Sequence, residues 1–153
     1  AIDEIFLRNS NSFQSCEEFK SRYPKHNTGF VLYGDATGHA RHTDSNVTNW
    51  KIIETELERY GITKRVPSSN PAEKDRVNAM NGLICNSKGQ RRFFVSPSCK
   101  HLIRDLEQVA YKEGSVQIDK TRDLMLTHPS DAIGYMAEKE FSLNRGYITG
   151  LKI

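Results

Sequence analysis

One stretch limits what this chain can fold into more than any other. Residues 29–38 read GFVLYGDATG, an unbroken apolar run from Phe30 to Tyr33 that stops on Gly34 and Asp35 and is punctuated again at Gly38. A strand with one wet face alternates apolar and polar residues. A continuous run marks a strand covered on both faces, and such a strand needs helices to cover it. The carboxyl ends of strands of this kind are where α/β sheets present functional groups.

The rest of the chain supplies the helices. Residues 2–7, IDEIFL, read as a strand of branched and aromatic residues. Phe13, Cys16 and Phe19 recur at helical spacing across residues 12–22, with Ser12 as the N-cap and Pro24 as the stop. Trp50, Ile53, Leu57 and Tyr60 set a helix over residues 46–60. A short strand at Arg65 and Val66 ends in Pro67 and a loop. Val77, Met80, Leu83 and Ile84 share one face of a helix over residues 72–86, and a turn at Lys88 and Gly89 leads into RRFFVS as a strand. Core spacing of Leu102, Leu106, Val109 and Ala110 marks a further helix, and a last one covers residues 130–140. Strands alternating with helices, with no repeat and no long linker, predict an α/β domain whose sheet is covered by helices on both sides.

With 153 residues the chain is the usual size of one domain. A formal net charge of +3 does not by itself call for a nucleic-acid partner. The basic residues do cluster, at Lys88, Arg91 and Arg92 and again at Lys100, His101 and Arg104. Such a stripe suits phosphate tracking and equally suits a solvated face. Cys16, Cys85 and Cys99 form no CxxC pair and are odd in number, so reduced thiols are expected rather than a disulfide framework. Nothing approaches the ~20 apolar residues of a membrane span, so a soluble chain without a membrane partner is expected.

Two acids are singled out by their surroundings. Asp35 stands where an apolar strand meets glycine, and Asp131 opens an apolar helix in THPSDAIGYM. Each has a modest reading, because Asp after a strand makes turns and Asp in a first helical turn caps. Each also suits Mg²⁺, which takes a few carboxylates plus water and phosphate oxygens. Two ions held by carboxylates activate water and stabilise the leaving oxygen of a phosphodiester. His128 precedes Asp131 by three residues, near enough to orient it or to reach a phosphate, or simply to pack beside Pro129. Arg76, Lys100, Arg104 and Lys120 are candidates for phosphate contact, with Arg76 also placed to pair with a neighbouring acid such as Glu73. His39, His42 and Asp44 follow Asp35 closely and either border a site or lie on the surface.

The ordered set VLYGDATGHARHTDSNVTNWKIIETEL, NPAEKDRVNAMNGLI, FFVSPSCKHLIRDLE and HPSDAIGYM resembles the nuclease domain of the large terminase subunit of tailed bacteriophages, over nearly the whole chain. The resemblance implies a ribonuclease-H-like fold, a mixed sheet flanked by helices. It implies two Mg²⁺ or Mn²⁺ ions, with Asp35 and Asp131 at matching acidic positions, and endonucleolytic cleavage of concatemeric double-stranded DNA. It further implies an ATPase motor domain, a portal and a small terminase subunit as partners, in the cytoplasm of an infected bacterium. In that family a first strand with another catalytic acid precedes the segment like IDEIFL, so an N-terminally truncated domain is expected, without its ATPase. No G-x-x-x-x-G-K-[ST] phosphate loop occurs. A catalytically silent DNA-binding or motor-docking module of the same fold, or a recombinase- or resolvase-type nuclease, stays open beside it.

Overall fold

The computed structural model describes residues 1–42, 45–115, 117–119, 123 and 126–142. Among them α and β mix: five α-helices and four short strands, which form two separate pairs. The chain divides into two compact units, Ile5–Asn70, and Ala1–Glu4 together with Pro71–Ile153.

In the Ile5–Asn70 unit, α1 (Ser12–Arg22) has the predicted span, but its N-cap is Asn11, one residue before the predicted Ser12. Asn11 accepts from the Gln14 N–H at 2.9 Å and Gln14 accepts from the Asn11 N–H at 3.0 Å, a reciprocal capping box. The Ser12 hydroxyl donates instead to Asn49 at 3.0 Å. β1 (Phe30–Leu32) pairs in parallel with β4 (Ile62–Lys64), Phe30 opposite Ile62. β4 thus lies ahead of the predicted Arg65–Val66, although the Arg65 N–H still donates to the Leu32 carbonyl at 2.8 Å. The predicted two-sided burial of the apolar run is corrected. Val31 is 40% exposed while Phe30 and Leu32 are half-buried, the alternation of a strand with one covered face.

β2 (Arg41–His42) and β3 (Ser45–Thr48) form an antiparallel pair, and β3 takes residues expected to open a helix. That helix, α2 (Asn49–Leu57), begins only where the Thr48 hydroxyl accepts from the Lys51 N–H at 3.1 Å. A 3₁₀ turn, Glu58–Tyr60, and left-handed Gly61 (φ +70°) then swing the chain into β4. Cys16, Leu57 and Tyr60 form the core, with Phe19, Phe30, Ile53 and Ile62 packed on it. The Phe19 ring stands edge-on to Tyr60 at 5.6 Å between centroids, a favoured aromatic geometry.

The other unit is built on α3 (Glu73–Ile84), α4 (Lys100–Gln108) and α5 (His128–Phe141). Glu73 and Asp75 sit in the first turn of α3, where the helix dipole favours them. Ala79, Met80, Leu83 and Ala137 are the buried seam between α3 and α5, joined by Phe93, Leu106 and Ile133. Neither IDEIFL nor RRFFVS is a strand among the described residues. The N–H groups of Arg92 and Phe93 both go to the Leu83 carbonyl at 2.8 and 3.1 Å, and Ser96 N–H goes to Ala1 at 2.8 Å. β-propensity without a ladder partner does not make a strand. No helix among the described residues is long and apolar enough to cross a membrane.

Candidate functional site

Asp35 lies three residues past the end of β1 and caps the 3₁₀ turn Ala36–His39. Its Oδ1 accepts from the Thr37 N–H at 2.6 Å and from the Asn70 side-chain amide at 2.7 Å, while Asn70 in turn accepts from the Ala36 N–H at 2.8 Å. The Asp35 carbonyl accepts from the Trp50 indole at 2.9 Å. Two glycines let the indole come this close. A Cβ at Gly34 would stand 2.7 Å from the Trp50 ring, and one at Gly38 2.6 Å from Trp50 Nε1. The sequence therefore spends both of its punctuating glycines on holding Asp35 against Trp50. The His39 ring lies 6.4 Å from that of Trp50.

Asp131 sits in the first turn of α5, behind a backbone that few residues adopt. Thr127, at the N-cap, has φ +85° and is 3% exposed, a left-handed conformation costly for a β-branched residue. Its carbonyl accepts from the Asp131 N–H at 2.7 Å and lies 3.1 Å from the Ser130 hydroxyl, whose one proton it shares with Asp105. Arg76, reaching from α3, donates through Nη1 to Asp131 Oδ1 at 2.6 Å. The predicted partner Glu73 is engaged elsewhere, accepting from the Ile118 N–H at 3.1 Å. The Arg76 guanidinium also lies over the Tyr135 ring at 4.5 Å, a cation–π contact.

Arg76, Ser130 and Asp131 share the wall of an open cavity of about 130 Å³ with Asp105, Met80 and Leu106. Asp105 escapes a reading by motif, yet it is 2% exposed and Oδ2 accepts from both the N–H and the hydroxyl of Ser130, each at 3.1 Å. A signal for it is present in the sequence. Asp105 falls three residues after Leu102 and one before Leu106, on the apolar stripe of α4, where a carboxylate needs a partner.

The remaining candidates are placed one by one. Lys100 is exposed at the first position of α4. Arg104, one turn on, donates to Asp123 at 2.6 Å. His128 is the exposed first residue of α5. Lys120, Asp44 and the His42 side chain lie outside the described residues. His101 belongs to a different device: Glu4 accepts from the His101 and Leu102 N–H groups, both at 2.9 Å, and contacts the His101 ring nitrogen at 3.0 Å.

Asp35 and Asp131 fit Mg²⁺ or Mn²⁺ by donor type, hard carboxylate oxygens, and the Asp131 side chain is 27% exposed. Each already has Oδ1 engaged, Asp35 by Thr37 and Asn70 and Asp131 by Arg76. No three of His, Cys, Asp and Glu converge as a metal cluster among the described residues. Compared with protein-family models, curated proteins and solved structures, the chain matches none.

Proposed function

We propose that this chain is a metal-dependent endodeoxyribonuclease domain of the phage terminase type, ribonuclease-H-like in fold, in which Asp35 and Asp131 hold Mg²⁺ or Mn²⁺. The observation that carries the reading is the start of α5. There a strained Thr127, a buried Asp105 and a buried Arg76 all act on the first turn that bears Asp131. Strain and buried charge cost stability, and they persist where a carboxylate must be held in one place. The sequence resemblance says what the carboxylate is for.

When bound, the ion supplies Lewis-acid stabilisation of the phosphodiester and an activated water. The chain's own residues set its surroundings. Asp105 orients the first turn of α5 through Ser130, and Arg76 orients the Asp131 carboxylate. Lys100 and His128 are exposed at the first positions of α4 and α5, where phosphate contacts position a duplex without reading its bases. Double-stranded DNA is the substrate on this reading, and the ATPase motor, portal and small terminase subunit are the partners.

A second reading, a DNA-binding or docking module without chemistry, is favoured by one observation: Asp131 is already neutralised by Arg76. Incubating the chain with supercoiled plasmid and Mn²⁺ separates the two, alongside calorimetric titration of Mn²⁺. The nuclease reading expects saturable Mn²⁺ binding and Mn²⁺-dependent plasmid retention, both lost in Asp35→Asn and in Asp131→Asn, with weak nicking at most by this chain alone. A folded chain that retains DNA in a salt-sensitive way, indifferent to Mn²⁺ and to both substitutions, supports the second reading instead.

A further inference from the structure

Arg76 is 8% exposed, yet it lines an open cavity beside two carboxylates, Asp105 and Asp131. It is wedged there. Its guanidinium is stacked on Tyr135, and its Cβ lies 3.5 Å from the place a Cβ on Gly134 would occupy. Nη1 donates to Asp131, and Nε is buried with no hydrogen-bond partner among the described residues. Close packing of this kind leaves a side chain few alternative positions, so the guanidinium stays beside Asp131 whatever else arrives.

The formal charge on the cavity wall follows. Among the described residues, Asp105 and Asp131 bring two negative charges and Arg76 returns one positive charge, so one negative charge remains. Asp105 is moreover turned to Ser130, which donates both hydrogen bonds to its Oδ2. A divalent ion coming to Asp131 therefore meets a carboxylate whose charge is already compensated. Mg²⁺ and Mn²⁺ sites with few carboxylates complete their shells with substrate phosphates.

We infer that Arg76 makes cation binding at Asp131 depend on substrate: the buried guanidinium keeps divalent affinity low until the phosphates of DNA add negative charge. This rests on the nuclease reading above. Arg76 is then a positioning residue that acts through Asp131, and its effect is to load the metal only together with the duplex.

The test is calorimetric titration of Mn²⁺ into the full chain, alone and with a short phosphorothioate duplex, subtracting the duplex-only titration. For the wild-type chain, the duplex should tighten Mn²⁺ binding by roughly tenfold or more. Arg76→Met should bind Mn²⁺ roughly tenfold more tightly than wild type without duplex, and gain much less from its addition. Arg76→Lys, which keeps the charge, should restore the wild-type pattern, and a purely structural role for Arg76 would not produce that split. If Arg76→Met does not fold by circular dichroism, Arg76→Gln serves the same comparison. A folded charge-removing variant that binds Mn²⁺ no more tightly than wild type overturns the inference while leaving the nuclease reading standing. An Asp131→Asn chain that keeps the wild-type isotherms overturns both.

Discussion

Both donors of Ser130, its N–H and its hydroxyl, converge on one oxygen of Asp105 at 3.1 Å each. A buried carboxylate on α4 thereby caps the first turn of α5, the work a side chain at the N-cap itself normally does. Thr127, which occupies that N-cap, makes no side-chain cap bond.

Removing this cap should loosen α5 first. Asp105→Ala leaves the Ser130 donors facing a cavity and should cost about 2 kcal/mol of stability. Asp105→Asn keeps an acceptor in the same place and should cost less. Urea unfolding of both variants checks the order, and an Asp105→Ala chain as stable as wild type would show that α5 does not need the contact.

The Gly38–Trp50 approach has an optical reporter, since Trp50 is the single tryptophan. Trp50 is 8% exposed and hydrogen-bonded to the Asp35 carbonyl. Gly38→Ala puts a methyl 2.6 Å from Trp50 Nε1, so the indole must move. The expected result is a red-shifted emission maximum and a loss of about 1–3 kcal/mol, the usual range for overpacking. An unchanged spectrum would mean that the loop after β1 yields instead of the ring.

Glu4 gives a pH signature. Burial pushes its carboxyl up, but the N–H groups of His101 and Leu102 and the His101 side chain outweigh it and hold the group below its ordinary 4.5. A carboxylate depressed on folding contributes stability above its unfolded value, and that stability is lost as pH falls through the folded one. Melting temperature should therefore fall as pH drops below 4.5, and Glu4→Gln should flatten that part of the curve. At neutral pH the variant should lose about 1 kcal/mol, as for a weakened helix cap. A variant whose melting curve keeps the wild-type acid slope would place the titrating group elsewhere.

The cysteines test the packing of both units. Cys85 is exposed, whereas Cys16 and Cys99 are 3% and 0% exposed. Burial, aided by the nearby Glu56, pushes the Cys16 thiol up and slows it further. A thiol reagent added to the native chain should titrate Cys85 promptly and the other two only after denaturant. Prompt reaction of more than one thiol would contradict the burial of Cys16 or Cys99.

Local chemistry made the helices legible in the sequence. The 3.6-residue spacing of Phe13, Cys16 and Phe19, and of Val77, Met80 and Leu83, predicted α1 and α3 to within a residue or two at most ends. Pro24 acts through near neighbours, so no tertiary information was needed to read it as the stop of α1. The prominence of Asp35 and Asp131 was likewise visible, because each stands out against an apolar run.

Tertiary structure decided everything that depends on a partner distant in the chain. IDEIFL and RRFFVS carry strand composition, but a strand exists only where another backbone completes its ladder. Arg76 sits 55 positions from Asp131, and no spacing rule joins residues that far apart. The same holds for Asp105 and Ser130, 25 positions apart. Burial gives these polar groups their weight, since a charge within the fold must find its counterpart wherever the chain brings one. Composition and periodicity thus determined which segments are helical and which acids invite attention. Packing alone determined that Asp131 is held by Arg76, and that its helix begins on Asp105.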